Sequence, residues 1–365
     1  MNWIGAAVAA ALLGVAAVSY LLWYFRWEQR HTAGIAYYGR PLAARRALKR
    51  QIRLLSLPAK PILRALVALT RSGQSMPVFD YEGVSGPPRV STPEVFARAR
   101  QYRPQAEDVF VATQMRCGTT WMQQIVFQIV SKGRGEFSEP GPTHLYAMSP
   151  WIEAVNSVSM ADAPLVGTRP TRIIKTHLPA SHCPYGGDAK YIYVARHPVA
   201  CFASIVDFNQ SMLGPLMPPV DAQAAWFTSD RMYWLPWPRH VDGWWRWSQQ
   251  HGNVLFLHFE EMKRDLAGVI DRVATFLGVE LSANERSLVA QRCSFAYMKE
   301  HEEVFEMAPP TMFSVAGGQF LRSGKETRDA DVTPAIRQQI LDYCRDGLKG
   351  GAYPAGRFYP DLADP

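Results

Sequence analysis

The chain has 365 residues, is 48% hydrophobic and carries a formal net charge of +7. That length accommodates one domain with a substantial core plus flanking segments. Five cysteines, an odd number without framework spacing, argue against a disulfide-built secreted fold, and no Cys/His cluster has zinc spacing.

From Ile4 to Phe25 there is no charged side chain, and the first is Arg26. At ~1.5 Å per residue such a stretch crosses a bilayer. Trp23, Tyr24 and Trp27 stand at one end, as an interfacial aromatic belt does. A cleaved signal peptide has a charged n-region and a shorter apolar core. Residues 1–25 are therefore expected to form a retained transmembrane helix.

Residues 26–71 carry eleven Lys/Arg against one acid, Glu28, a net +10 that leaves −3 for the rest of the chain. The basic balance is thus juxtamembrane and is no nucleic-acid footprint for the remainder. The positive-inside rule places this side, and everything after it, in the cytoplasm. At ~100° per residue, Arg45, Arg46, Lys49, Arg50 and Arg53 share one arc, opposite Ala44, Ala47, Leu48, Ile52, Leu54 and Leu55. This predicts a helix lying on an anionic membrane surface, with a basic helix packed on the domain as the alternative. Residues 72–107, rich in Pro, Gly and Ser, are expected to be an extended or turning connection.

A short apolar strand, Asp108-Val-Phe-Val-Ala112, runs into Thr113-Gln-Met-Arg116-Cys117-Gly118-Thr119-Thr120-Trp121 and then a helical pattern. A helix N-terminus offers unpaired N–H groups and partial positive charge. Gly118 lets the backbone approach an anion, Thr119 and Thr120 add hydroxyl donors, and Arg116 adds a full charge. The same pattern suits an ordinary strand–turn–helix with capping threonines. A second strand ends in Arg172-Ile-Ile-Lys175-Thr-His177-Leu-Pro179. Alternation puts Lys175 and His177 on one side, and a histidine is the usual base where a hydroxyl must lose a proton. A third strand, Tyr191–Ala195, is followed by Arg196, by Pro198 in a helix first turn, and by Ser204 within that helix. A fourth, Val254–His258, leads through Phe259, Glu260 and Glu261 into a helix with Leu266, Val269, Ile270, Val273 and Leu277 at helical spacing. Both glutamates read as structural. Strands alternating with helices predict a parallel sheet covered on both faces, with ligands beyond the strand ends.

Arg116-Cys-Gly-Thr-Thr-Trp121 resembles the 5′-phosphosulfate loop of sulfotransferases, usually Lys-Ser-Gly-Thr-Thr-Trp, and Lys175-Thr-His-Leu-Pro179 resembles the catalytic segment of the cytosolic-type members. Arg196 with Ser204, Phe259-Glu-Glu-Met262, Cys293-Ser-Phe295-x-x-Met298-Lys299 and Arg322-Ser323-Gly324 extend the likeness over most of residues 105–330. The resemblance implies a three-layer, P-loop-like α/β sandwich around a central parallel sheet, residues 108–365, preceded by the transmembrane helix. It implies a donor substrate, 3′-phosphoadenosine 5′-phosphosulfate (PAPS), no metal, and an acceptor hydroxyl or amine. His177 would take the acceptor proton, Lys175 would stabilise the transferring group, and Arg116 the leaving phosphate. Arginine at 116 can stabilise charge but cannot act as an acid. Cys117, Gly118, Thr119 and Thr120 would hold the phosphosulfate, and Arg196, Ser204, Arg322, Ser323 and Gly324 the 3′-phosphate. Trp121 (or else a core tryptophan), Phe259 and Phe295 would surround the adenine. Cys293 replaces a threonine and Ser323 a lysine of the family pattern. Trp151, in Ser149-Pro-Trp-Ile-Glu153, would line the acceptor pocket. The aromatic stretch 212–247, with the anchor, points to a hydrophobic or lipid-like acceptor, the alternative being plain core. A reduced cytoplasm also suits a donor made there.

Other readings are open. A P-loop kinase would need Gly-x-x-x-x-Gly-Lys-Ser/Thr, and no stretch fits. A non-catalytic nucleotide-binding membrane scaffold would explain the departures at 116, 293 and 323 but not the intact Lys175 and His177. A Golgi-lumen sulfotransferase would require the opposite orientation.

Overall fold

The structure is a computed structural model and describes residues 3–70, 75–88, 90–314 and 332–363. Its centre is a four-stranded parallel sheet of β3 (Asp108–Thr113), β4 (Arg172–Thr176), β5 (Lys190–Ala195) and β6 (Val254–His258), in the spatial order β4-β3-β5-β6. Registers such as Val111 opposite both Lys175 and Ile192, and Ala195 opposite His258, bring the four C-terminal ends to one edge. The strands are apolar almost throughout because both faces are covered. Val109, Val111, Ile173, Ile192, Val194 and Leu257 point into one core, with α5 (Thr119–Val130), α11 (Leu266–Leu277) and α12 (Ala283–Arg292). The alternating residues Phe110, Ala112, Ile174, Tyr191 and Tyr193 point into the other, with α7 (Pro198–Leu213), α9 (Trp237–Gln250) and α14 (Pro334–Leu348). Period-two alternation on two buried faces thus produces three layers.

Short helices fill the periphery: α6 (Leu145–Met148), α8 (Val220–Phe227), α10 (Phe259–Arg264), α13 (Phe295–Glu300) and α15 (Ala355–Phe358). The expected connection 72–107 is more regular than its composition suggests. It holds a hairpin, β1 (Phe79–Tyr81) with β2 (Val84–Gly86), and a helix, α4 (Pro93–Gln101). Thr92 caps α4 by accepting from Val95 N, Pro93 stands in its first turn, and Val95, Phe96 and Ala99 are buried. Those are helix-start signals that the surrounding Pro and Gly obscured.

At the front, α1 runs unbroken from Trp3 to Thr32, past the expected limit at residue 25, because Arg26, Glu28, Gln29 and Arg30 are good helix formers and the next glycine is Gly34. Within α1, only Leu21 and Tyr24 are buried. The following turn leads to α2 (Leu42–Leu55) and α3 (Ala59–Thr70). Contrary to the expected membrane-facing basic arc, α2 docks on the domain with part of that arc. Arg45 is 1% exposed and donates to Glu303 O at 2.7 Å and Thr143 O at 2.8 Å. Arg46 pairs with Glu303, and Lys49 with Glu306. Periodicity located the arc; the acids that neutralise it lie some 257 residues away in sequence. Arg50 and Arg53 remain exposed.

Candidate active site

The turn between β3 and α5 forms the expected cradle. Gly118 has φ +94°, and a Cβ there would lie 2.7 Å from the Phe259 ring, so both conformation and space require glycine. Arg116 adopts φ +64°, a left-handed backbone that a non-glycine residue takes only under constraint. Thr119 Oγ1 lies 2.6 Å from Thr113 Oγ1. Thr120 Oγ1 is buried beside the Tyr146 hydroxyl, with which it interacts. The Cys117 thiol turns away, into the core beside Cys201, so only its backbone faces the turn.

Arg196 and Ser204 both converge on Arg116. Arg196 Nη1 donates to Arg116 O at 2.8 Å, and Arg116 Nε donates to Ser204 Oγ at 3.1 Å. The Arg196 guanidinium lies 4.5 Å from the Phe259 ring centroid, and its Nε is buried with no partner. Burial, then the Arg196 charge, lowers Arg116 to about 10. Two guanidiniums held together, with Arg196 Nε buried and unsatisfied, form a site for an anion.

Behind the cradle stand Lys175 and His177. His177 Nδ1 lies 2.8 Å from the carbonyl of Thr113, which can only accept. Nδ1 therefore carries the proton and Nε2 the lone pair. Burial, then the Lys175 charge, holds the imidazole well below its ordinary pKa. It is thus neutral, in a tautomer able to accept a proton. Lys175 is fully buried, its Nζ donates to Tyr146 Oη at 2.9 Å, and it sits 3.4 Å from the Trp151 ring centroid. Burial lowers it to about 7, with Glu153 opposing and Arg116 adding to the shift.

Glu153, Tyr146, Thr113, Gln114 and Trp234 escaped the sequence reading as site residues. Glu153 accepts from Trp151 Nε1 at 2.6 Å, His177 N at 2.6 Å and Thr176 Oγ1 at 2.9 Å. It stands two residues after Trp151, which forms an isolated bridge with Lys175. Trp234 packs 4.8 Å from His177 and 5.8 Å from Trp151. Its φ is +57° and that of Leu235 is +87°. Gln114 Nε2 holds this bend by donating to the carbonyls of Tyr233 and Leu235. Of the expected aromatic stretch 212–247, Trp234 meets His177, as does Trp151 from outside it, and Trp226, Phe227 and Trp237 pack in the same core cluster.

On the other side of the cradle, Trp121 donates from Nε1 to Cys293 O at 2.7 Å and meets Phe259 edge-on at 5.7 Å. Phe295 is 42% exposed, and the Cys293 thiol is buried. Glu260 accepts from His197 N and Tyr359 Oη, and Glu261 pairs with Arg272. Arg322, Ser323 and Gly324 lie outside the described residues. Among the described residues no group of three or more His, Cys, Asp or Glu could hold a metal ion.

A turn of this kind at the carboxyl edge of a parallel sheet, with a buried lysine and a neutral histidine behind it, stands where open α/β folds bind nucleotides. Comparisons with known proteins make the class specific. The sulfotransferase-domain family matches residues 106–352. The guinea pig (Cavia porcellus) 3-alpha-hydroxysteroid sulfotransferase is 29% identical over 249 residues, 67% of this chain and 84% of that protein. Mouse (Mus musculus) sulfotransferase 2B1 is 29% identical over 254 residues, 67% of this chain and 72% of that protein. Among solved structures, a mouse sulfotransferase complexed with PAP superposes with TM-score 0.59 at 19% identity, covering 77% of this chain and 96% of that one. Retinol dehydratase in complex with retinol and PAP gives TM-score 0.52 at 24% identity, covering 72% and 87%. The chain belongs to the sulfotransferase family. It is accordingly a PAPS-dependent enzyme.

Proposed function

We propose that this protein is a membrane-anchored sulfotransferase that moves a sulfuryl group from PAPS to the hydroxyl, or amine, of a small hydrophobic acceptor. The observation that carries the catalytic part is the His177 tautomer: Nδ1–H is fixed on Thr113 O, leaving the lone pair on Nε2 of a neutral ring that feels the Lys175 charge. PAPS supplies the sulfuryl group and leaves as 3′-phosphoadenosine 5′-phosphate (PAP). The buried donor without a partner, Arg196 Nε, suits its anionic groups.

In this reading His177 Nε2 takes the proton of the acceptor as its oxygen bonds to sulfur. Lys175 holds positive charge against the transferring oxygens. Arg116, fully cationic at neutral pH, stabilises the phosphate oxygen released when the S–O bond breaks. Gly118, Thr119, Thr120 and the backbone of Cys117 hold the phosphosulfate. Arg196 and Ser204, with Arg322, Ser323 and Gly324, hold the 3′-phosphate, and Trp121, Phe259 and Phe295 flank the adenine. Trp151 and Trp234 wall the acceptor side, so an apolar alcohol fits better than a charged one. Relatives named for hydroxysteroids, and a fold neighbour complexed with retinol, support the same acceptor class.

The anchor reading rests on α1. It is the described helix long and apolar enough to cross a membrane, with 6% of its most apolar window buried. A signal sequence would pass the same test, but Tyr20 Oη donates to Leu55 O at 2.6 Å, tying α1 to the body that follows. The positive flank places the domain of residues 108–365 on the cytoplasmic side.

Calorimetric titration of PAP against ATP with magnesium, on wild type and Arg196→Ala, tests the donor site. Metal-independent PAP binding that the substitution weakens is expected; equal binding of ATP would sink the reading. Sulfuryl transfer by His177→Ala at a wild-type rate would remove the base assignment.

A further inference from the structure

The turn between α1 and α2 lies outside the family-matched residues 106–352, yet it reaches the back of the catalytic lysine. Tyr37 and Tyr38 are both 0% exposed. Tyr38 packs 5.3 Å from the Tyr146 ring and 4.4 Å from His144. Tyr146 in turn accepts the hydrogen bond that the structure shows for Lys175 Nζ. The turn is pinned on both sides. Tyr37 Oη donates to Glu306 at 2.7 Å, Thr143 Oγ1 donates to Arg40 O at 3.0 Å, and Arg45 bonds the carbonyls of Thr143 and Glu303.

We infer that this juxtamembrane turn is a working part of the active site, with Tyr38 positioning Lys175 through the ring of Tyr146. The inference rests on the proposed role of Lys175. A lysine side chain has four rotatable bonds, so its ammonium is only as fixed as its partners. Lys175 is held on one side by the Trp151 face and on the other by Tyr146 Oη. Tyr146 is held from behind by Tyr38 and His144. The Tyr38 hydroxyl itself has no hydrogen-bond partner, so its ring carries the effect. The groups that act electrostatically on or around Lys175 are Glu153, Arg116, Tyr146 and His177. Tyr38 makes no described contact with the cradle residues 116–121 and reaches them only at one remove, through Tyr146 beside Thr120, so it acts on turnover far more than on donor affinity. The anchor-side segment and catalysis are thereby linked in one packing chain.

The test uses the full chain in detergent or nanodiscs. In Tyr38→Leu, kcat should fall about tenfold or more while PAP affinity stays within about twofold. Tyr146 Oη favours the ammonium form, so a loosened contact also moves the alkaline limb of the rate profile to lower pH. Tyr38→Phe keeps the ring and should restore both. Tyr146→Phe keeps the packing, removes only the acceptor, and should shift the limb in the same direction. It stands in if Tyr38→Leu does not fold, as judged by lost PAP binding. A PAP-binding Tyr38→Leu with wild-type kcat and pH profile overturns the inference, as does a wild-type profile in Tyr146→Phe. Lys175→Met separates the two levels. Full activity in that variant would sink the role of Lys175 itself, whereas a dead Lys175→Met beside unchanged tyrosine variants would sink only the inference.

Discussion

Replacing Glu153 by glutamine changes one charge and almost no volume, and its consequences can be worked from the contacts. Three donors converge on its two oxygens, from Trp151, His177 and Thr176. An acceptor surrounded by donors is a carboxylate, although burial raises its pKa. Glutamine keeps one oxygen and turns an amide NH2 toward the other donors. Two charge-assisted bonds become neutral and one loses its acceptor. The expected cost is about 2–4 kcal/mol of stability, read as a lower midpoint in urea with an unchanged slope.

The second effect is on Lys175. Burial lowers that ammonium to about 7, and Glu153 is the group that opposes the fall. Without the carboxylate the pKa drops further. In the wild type kcat/KM for PAPS should decline above about pH 7, because the free enzyme then loses the lysine charge. In Glu153→Gln the decline should begin at lower pH, with about a tenfold loss at fixed alkaline pH for each unit of displacement. The acid limb should move less, since burial is the largest cause of the low His177 pKa. A folded Glu153→Gln with an unmoved alkaline limb would refute the argument that Glu153 maintains the lysine charge.

The same depressed pKa has a stability signature. Between about pH 7 and the ordinary lysine value of 10.5, the unfolded chain holds a proton that the native state has lost. Stability should therefore rise with pH across that window, by up to about 1.4 kcal/mol per unit, and Lys175→Met should lack this increment in chemical denaturation. Gly118→Ala forces a side chain onto a backbone at φ +94° and against Phe259, so PAP affinity should drop at least tenfold by calorimetry while far-UV dichroism is unchanged. Arg116→Lys should keep measurable transfer, because a cation remains, whereas Arg116→Ala should lower kcat by about two orders of magnitude in a radiolabelled-sulfate assay. Protease treatment of sealed vesicles should leave the domain cleavable only from the cytoplasmic side; protection there would reverse the orientation.

Much of the central domain was legible because its signals are local. Four apolar runs each end at a charged or polar residue, and all four became adjacent parallel strands. Arg116, Lys175, His177, Arg196 and Ser204 lie at or beyond strand ends, and their expected roles came from the family resemblance. What stayed hidden depends on distance. Nothing near Glu153 says that it will collect Trp151, Thr176 and His177, and nothing near Tyr146 says that Lys175 will reach its hydroxyl. Trp234 was one aromatic in a wall of them until its backbone bend put it against His177. The basic arc of α2 shows the same limit in reverse. Its periodicity was correct, but the partner it faces was set by Glu303 and Glu306, far along the chain.

The substitution of arginine for lysine at position 116 also has a physical consequence for the site as a whole. Arg116 and Lys175 are both desolvated cations; the Arg196 charge adds to the lowering of Arg116, and the Arg116 charge adds to the lowering of Lys175. A lysine at 116 in the same burial would start from a lower intrinsic value and could be driven neutral alongside Lys175. Arginine at about 10 remains charged across the working range. The site therefore contains one cation that does not titrate and one that does. On the proposed roles, the leaving phosphate keeps its counter-charge at every physiological pH, and the alkaline limb of turnover is left to Lys175. Measured profiles of Arg116→Lys should accordingly show a second alkaline ionisation that wild type lacks, and a single ionisation in both would show that the arginine plays no such part.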